Sequence, residues 1–327
     1  MKSMHFLKAR TCALALATAF AATGAQAQDY PTQTVTLLVS AAPGGTTDLA
    51  ARMISDPLSK ALGKAVVVDN RPGGAGVIAA AAVKRAKPDG HTLLVQYSGF
   101  HVITPHVMKA PFDPVKDFAP VANLIVAPQV MVVRPGLPIK TLPELVAYAK
   151  AQPGKLSYAS SGNGSLQHVT GEMLNGLAGI RLTHVPYKGT GPAVTDMLAG
   201  TVDLTFTTAP PLLGHIKTGK LRPLAVTGNV ALPSLPNVPT TATIKGFDKL
   251  DVSSWFAVYA PAGTPKPIVD RLTNEIRKIM QTAEFKSKAE AQGAYAVYMN
   301  PQQLAEHTNK QLQYWGKFVK EAKITAE

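Results

Sequence analysis

The residues of this sequence best suited to chemistry sit in three glycine-rich stretches. Ser40-Ala41-Ala42-Pro43-Gly44-Gly45-Thr46-Thr47-Asp48 falls between a predicted strand and a predicted helix. Its glycines permit backbone geometries that expose successive N–H groups, and the partial positive charge of a helix start stands behind them. Ser160-Ser161-Gly162-Asn163-Gly164-Ser165 repeats the device ahead of a helix that carries His168. Tyr187-Lys188-Gly189-Thr190-Gly191-Pro192 repeats it again, with Pro192 placed as a first helical residue. One such turn is ordinarily structural. Three of them, at the carboxyl ends of strands where open α/β sheets bind ligands, point to an anion held between two parts of the fold.

Catalytic patterns are poor by comparison. Gly214-His215-Ile216-Lys217-Thr218-Gly219-Lys220 imitates a phosphate-binding loop, but Leu221 stands where a magnesium-ligating hydroxyl belongs, and a helix precedes it instead of a strand. It reads as a helix end closed by Gly219. Gly74-Ala75-Gly76-Val77-Ile78-Ala79 fits a relaxed dinucleotide fingerprint, yet Asn70, Arg71 and Pro72 lengthen the turn and Asp89 comes too early to hold a ribose. There is no Gly-x-Ser-x-Gly elbow and no His-Glu-x-x-His run. The expectation is a protein that is not an enzyme, with no catalytic residues, no cofactor and no metal.

The elements that must position these loops alternate. Strand 34–40, helix 46–62, strand 65–69, helix 76–86 and strand 92–97 form one βαβαβ series. A second runs through helix 142–151, strand 156–160, helix 165–177, strand 181–186, helix 192–199, strand 202–207, helix 211–218 and strand 221–227. Strand 254–260, two helices within 267–291, a strand at 295–299 and a helix at 301–322 complete the chain. Such alternation predicts an α/β protein with mostly parallel sheets flanked by helices. Two extended stretches, 121–134 and 252–261, have no helix on their near side and suit crossovers between an outer lobe built from both chain ends and an inner lobe built from the middle. The expected division is 28–125 with 253–327 as a discontinuous first lobe, and 126–252 as the second.

The beginning of the chain reads as an export signal: Lys2, Lys8 and Arg10, then an apolar run over 12–22 interrupted only by Thr18, then Ala25-Gln26-Ala27. The run is about half the ~20 residues that span a bilayer, so residues 1–27 are expected to be cleaved, leaving a periplasmic protein that begins at Gln28. Cleavage also removes Cys12, the one cysteine, and with it any disulfide or thiolate ligand. Losing Lys2, Lys8 and Arg10 lowers the formal charge from +13 to +10. The remaining Lys and Arg residues are scattered, without the basic runs and interleaved aromatics of a nucleic-acid surface.

Several blocks together resemble one family: Pro43-Gly44-Gly45-Thr46-Thr47-Asp48 with Arg52, Asn70-Arg71-Pro72-Gly73, Lys87-Pro88-Asp89-Gly90-His91-Thr92-Leu93, Lys116-Asp117-Phe118-Ala119-Pro120, Ser160-Ser161-Gly162-Asn163-Gly164-Ser165 with His168, His184-Val185-Pro186-Tyr187-Lys188-Gly189, and Ala260-Pro261-Ala262-Gly263-Thr264-Pro265. These are similar to blocks of the Bug family, the periplasmic solute receptors of tripartite tricarboxylate transport, and they run in family order from Tyr30 to Trp315. One departure is Pro239-Thr240-Thr241-Ala242-Thr243-Ile244-Lys245-Gly246, where the family commonly has an acidic residue and an Ala before the Gly.

The resemblance implies a type II periplasmic-binding-protein fold, two lobes with a ligand cleft between. It implies a small carboxylate as ligand: a di- or tricarboxylate, an acidic amino acid or an aromatic acid, delivered to membrane transporter subunits of the tripartite type. A receptor presenting its acid to a membrane sensor is the alternative. A monomer without nucleic-acid partners is expected. Carried onto this chain, the ligand-binding residues are Ser40, Pro43, Gly44, Gly45, Thr46, Thr47, Asp48, Ser98, Ser160, Ser161, Gly162, Asn163, Gly164, Ser165, His168, Tyr187 and Gly189. Asp48 either caps its helix and pairs with Arg52 four residues on or receives a ligand ammonium. His168 either touches ligand or sits in the first turn of its helix.

Overall fold

The computed structural model describes residues 30–325; the expected leader, 1–27, lies outside them. β1 (Val35–Val39) leads into α1 (Thr46–Leu62), then β2 (Val66–Asn70), α2 (Val77–Lys84) and β3 (Thr92–Tyr97). α1 forms where expected because Ala50, Met53, Ile54, Leu58 and Leu62 recur on one face and bury there, and Gly63 ends it in the left-handed conformation (φ 70°) that a glycine adopts freely. Two short helices absent from the sequence reading follow, α3 (Ser98–Val102) and α4 (Thr104–Val107). Four or five residues are too few to show a helical period.

β4 (Phe118–Val133) is the long extended stretch anticipated near 121–134. Next come α5 (Leu142–Ala151), β5 (Ser157–Ser160), α6 (Leu166–Ala178), β6 (Thr183–Pro186), α7 (Thr190–Leu198), β7 (Leu204–Thr208), α8 (Leu213–Lys217) and β8 (Arg222–Val226). β9 (Ser253–Pro261), α9 (Lys266–Gln281), α10 (Ala283–Ala291), β10 (Tyr295–Met299) and α11 (Pro301–Glu321) follow. A capping box between Asn300 and Gln303 starts α11. No helix among the described residues is long and apolar enough to cross a membrane.

The strands join in one curled path, β2-β1-β3-β9-β4-β7-β5-β6, with β10 and β8 also paired to β4. β4 holds the path together. Its first part, Phe118 to Pro128, pairs with β9, and its end, Gln129 to Val133, pairs with β7 and β8. The α/β expectation holds, but the sheet is mixed instead of mostly parallel. β2-β1-β3 and β6-β5-β7 are parallel trios joined through helices, while β4, β9, β8 and β10 enter antiparallel. A parallel neighbour needs a crossover between strands, whereas β4 and β9 run directly from one trio's side to the other. Both stretches are almost wholly buried, which is why their sequences read as continuous apolar runs.

Candidate functional site

All three glycine-rich loops open at the carboxyl ends of the parallel trios, and the structure brings them together around two adjoining chambers. The inner chamber, a cavity of ≈ 40 Å³, is lined from the β1–α1 loop by Ala41, Ala42, Gly45, Thr46 and Thr47, and from the loop before α7 by Gly189, Thr190 and Gly191. Ser161, Gln167, Thr207, Thr208, Gln129, Ser254, Tyr97, Phe100 and Phe256 complete it. Among the described residues, no ionisable side chain other than the Tyr97 phenol lines it. The outer chamber, ≈ 260 Å³, is bordered by Ser40, Gly73, Gly74, Ala75, Met108, Gly162, Asn163, Pro186, Tyr187 and Lys188. Ala41, Phe100, Ser161 and Gly189 border both.

Two helix starts face the inner chamber without a side chain of their own to cap them. Gly45 is the N-cap of α1 and Gly189 that of α7, and neither start has a side-chain cap bond. Backbone N–H groups of a first turn left in this state attract anions. α7 begins at Thr190, so Pro192 is its third residue and not its first. α6 differs. Ser165 caps it by accepting the His168 N–H, and the Leu166 N–H donates to the Tyr97 phenol oxygen at 2.9 Å. Of the loop over 160–165, Ser161 alone reaches the inner chamber, and Ser161, Gly162 and Asn163 border the outer one.

Asp48 borders neither chamber. Its carboxylate accepts from the Gly44 N–H, from Arg52 Nε and from Asn70 Nδ2, each at 3.0 Å. Burial would raise its pKa, but these hydrogen bonds and the Arg52 charge outweigh that and hold it below the ordinary aspartate value. The four groups thereby fix the shape of the 41–45 turn. Pro43 and Gly44 (φ 80°) belong to that turn without bordering a chamber.

The other predicted residues outside the chambers have structural partners. Ser98 Oγ accepts from the Trp255 N–H, and Ser160 Oγ meets His184 Nε2 at 2.6 Å. His168 Nδ1 accepts from the Gly164 N–H, and its ring stacks on His184 with centroids 3.9 Å apart. Burial lowers both histidine pKa values, that of His184 to about 3 with help from neighbouring His168. The neutral pair braces the 160–165 loop from beneath. Tyr187, which does border the outer chamber, donates its hydroxyl to Asp196, and burial followed by that carboxylate raises its pKa to about 12.

Sequence reasoning missed the polar side chains that line the inner chamber from α6, β4, β7 and β9. Gln167 bridges the two trios: its Oε1 accepts from Tyr97 at 3.0 Å and from Ser161 at 2.9 Å, while its Nε2 donates to Thr207 at 3.3 Å and Thr190 at 3.4 Å. The hydroxyls of Thr46, at the start of α1, and Thr208, at the end of β7, meet at 2.5 Å across the two trios. Gln129, where β4 passes from β9 to β7, donates from Nε2 to Ser254 Oγ at 2.6 Å. The available signal was a polar residue inside an apolar strand: Gln129 interrupts Val121 to Val133, and Ser254 precedes Trp255-Phe256-Ala257-Val258. Such residues are buried for a reason.

Comparison with known proteins supplies the remaining information. Residues 50–324 match the TctC family, the tripartite tricarboxylate transporter family receptor. The chain is similar to the periplasmic binding protein BugD, with 33% identity, a TM-score of 0.85 and coverage of 90% of this chain and 99% of that one. It is similar to Rpa4515 of R. palustris with adipate, at 35% identity, a TM-score of 0.87 and coverage of 90% and 99%. It is similar also to MatC from Rhodopseudomonas palustris with bound malate, at 32% identity, a TM-score of 0.83 and coverage of 89% and 100%. With the family match spanning most of its length and the same fold in these binding proteins, the chain belongs to the TctC family of tripartite tricarboxylate transporter receptors, to which the Bug proteins also belong.

Proposed function

We propose that this receptor captures a small di- or tricarboxylate and passes it to membrane subunits of a tripartite transporter. The observation that carries the reading is the convergence of two uncapped helix starts, α1 and α7, on one chamber without a charged side chain. An anion there has its charge offset by backbone amides and helix ends alone. The ligands of two similar structures, adipate and malate, are dicarboxylates. At ≈ 40 Å³ the inner chamber has room for one carboxylate, and the second acidic group belongs in the outer chamber beside Asn163 and Lys188.

In this reading Gly45, Thr46, Thr47, Ser161, Gly189, Thr190 and Gly191 contact the inner carboxylate, and Ser40, Gly162, Asn163, Tyr187 and Lys188 the remainder. Pro43, Gly44 and Asp48 shape the first loop, while Ser160, Gly164, Ser165 and His168 support the second; Ser98 ties α3 to β9. The lobes are 28–125 with 253–327, and 126–252, hinged where β4 and β9 cross. Residues 1–27 are a cleaved leader, so intact mass of protein from the periplasm should begin at Gln28, and retention of Met1 there would contradict export by cleavage.

Native mass spectrometry of gently purified protein tests the ligand class. A retained small acid, displaced by added dicarboxylate, is expected; a retained neutral sugar that dicarboxylates fail to displace would overturn the reading.

A further inference from the structure

We infer that Gln129 selects for a hydroxyl on the ligand carbon next to the captured carboxylate, so that 2-hydroxy acids are preferred over their unsubstituted counterparts. The inference rests on the reading that the inner chamber receives a carboxylate. Gln129 lines that chamber, is 1% exposed, and donates its amide N–H to Ser254 Oγ, which lines the same chamber. Its Oε1 is buried with no hydrogen-bond partner among the described residues. The orientation of the amide follows from its neighbours. Ser254 Oγ lies 2.6 Å from Gln129 Nε2 and accepts from it, while the amide oxygen on the other side meets no donor.

A buried acceptor left unpaired is unfavourable, and a carboxylate cannot satisfy it because a carboxylate brings only acceptors. A cavity of ≈ 40 Å³ compares with about 10–15 Å³ for each enclosed water on the same kind of measure. It therefore holds a carboxylate and one small neighbouring group. A donor on the adjacent carbon satisfies Gln129 Oε1 within that space. An ammonium is also a donor, but it carries a full charge that calls for an anionic partner. The lining has no carboxylate, and that of Asp48 is engaged by Arg52, Asn70 and the Gly44 N–H outside it. A hydroxyl is the neutral donor that fits. Water can stand in for it when the ligand lacks one, which limits the preference to roughly ten- to hundredfold.

Calorimetric titration of matched acids tests this: succinate against malate, glutarate against 2-hydroxyglutarate, with oxaloacetate and aspartate as 2-oxo and 2-amino comparators. Wild-type protein should bind each 2-hydroxy acid about ten- to hundredfold more tightly than its unsubstituted partner and more tightly than either comparator. In Gln129→Met, which keeps length and bulk but not the acceptor, the ratio should fall to within about threefold. The wild-type ratios decide the matter even where that variant does not fold. Equal binding of both members of each pair overturns the inference and leaves the carboxylate reading standing. Tighter binding of oxaloacetate would place the amide NH₂ in the chamber, tighter binding of aspartate would require an ammonium site, and each overturns it. If none of these acids binds, the inference fails, and the carboxylate reading fails with it only if adipate and citrate, titrated alongside, do not bind either.

Discussion

At the scale of single residues, Asp48 can stand beside the proposed anion site without repelling the anion. Its charge is spent on Arg52, Asn70 and the Gly44 N–H, so its influence on ligand passes through the shape of the 41–45 turn. Asp48→Asn should lower stability at neutral pH by about 1–2 kcal/mol and weaken binding of every acid alike; selective loss of amino acids would instead assign it to a ligand ammonium. The pH dependence separates its contribution from that of the histidines. A carboxyl whose folded pKa is depressed contributes stability above its unfolded value, about 3.9, and loses it as pH falls through the folded value. Below pH about 4, denaturant midpoints should therefore fall more steeply in the wild type than in Asp48→Asn. His101 and His184 act in an earlier window. Burial lowers each to about 3, so the unfolded chain binds more protons between roughly pH 6.5 and 3, and stability declines through that range as pH falls. The urea midpoint at pH 5 should be lower than at pH 7.5. An unchanged midpoint would contradict neutral, buried rings.

Among the elements, the helix starts and the loops before them make the sharpest demands. Gly189 has φ 134°, a conformation that disfavours any side chain. Gly189→Ala should reorient the first turn of α7 and reduce affinity tenfold or more while far-ultraviolet circular dichroism stays unchanged; undiminished binding would remove α7 from the site. Gly99 is constrained by contact instead. A Cβ there would lie 2.7 Å from the Leu166 nitrogen and from the Tyr97 ring, so Gly99→Ala should hold α3 and α6 apart and weaken binding more than folding.

These examples mark what the sequence could express about the site. The glycine-rich loops were legible because glycine, proline and hydroxyl residues cluster at strand ends, and α1 was legible through its apolar period. That α7, and not α6, presents the second uncapped start to the inner chamber was not. Ser165 caps α6 and the Tyr97 hydroxyl accepts from Leu166, and that second contact joins residues 69 positions apart. Gln129, Thr207, Thr208 and Ser254 were hidden for a related reason. Their polarity has meaning only once β4, β7 and β9 are adjacent.

Across the whole molecule, β4 and β9 tie the two parallel trios, and hydrogen bonds between Tyr97 and Gln167 and between Thr46 and Thr208 join their two sides. Both chambers lie in that seam, so under the proposed function a ligand held there would bridge the two sides. A ligand at 100 times its dissociation constant stabilises the folded state by about 2.7 kcal/mol, and a chain of this size gains roughly 2–4 °C per kcal/mol. A melting shift of several degrees is expected with a matching dicarboxylate, and none with a neutral sugar. The most direct measurement is a calorimetric titration of that dicarboxylate beside its diamide, which keeps the shape and removes the charge. Capture by amides at two helix starts predicts saturable one-site binding of the acid and at least hundredfold weaker binding of the diamide, whereas a diamide bound as tightly as the acid would contradict it.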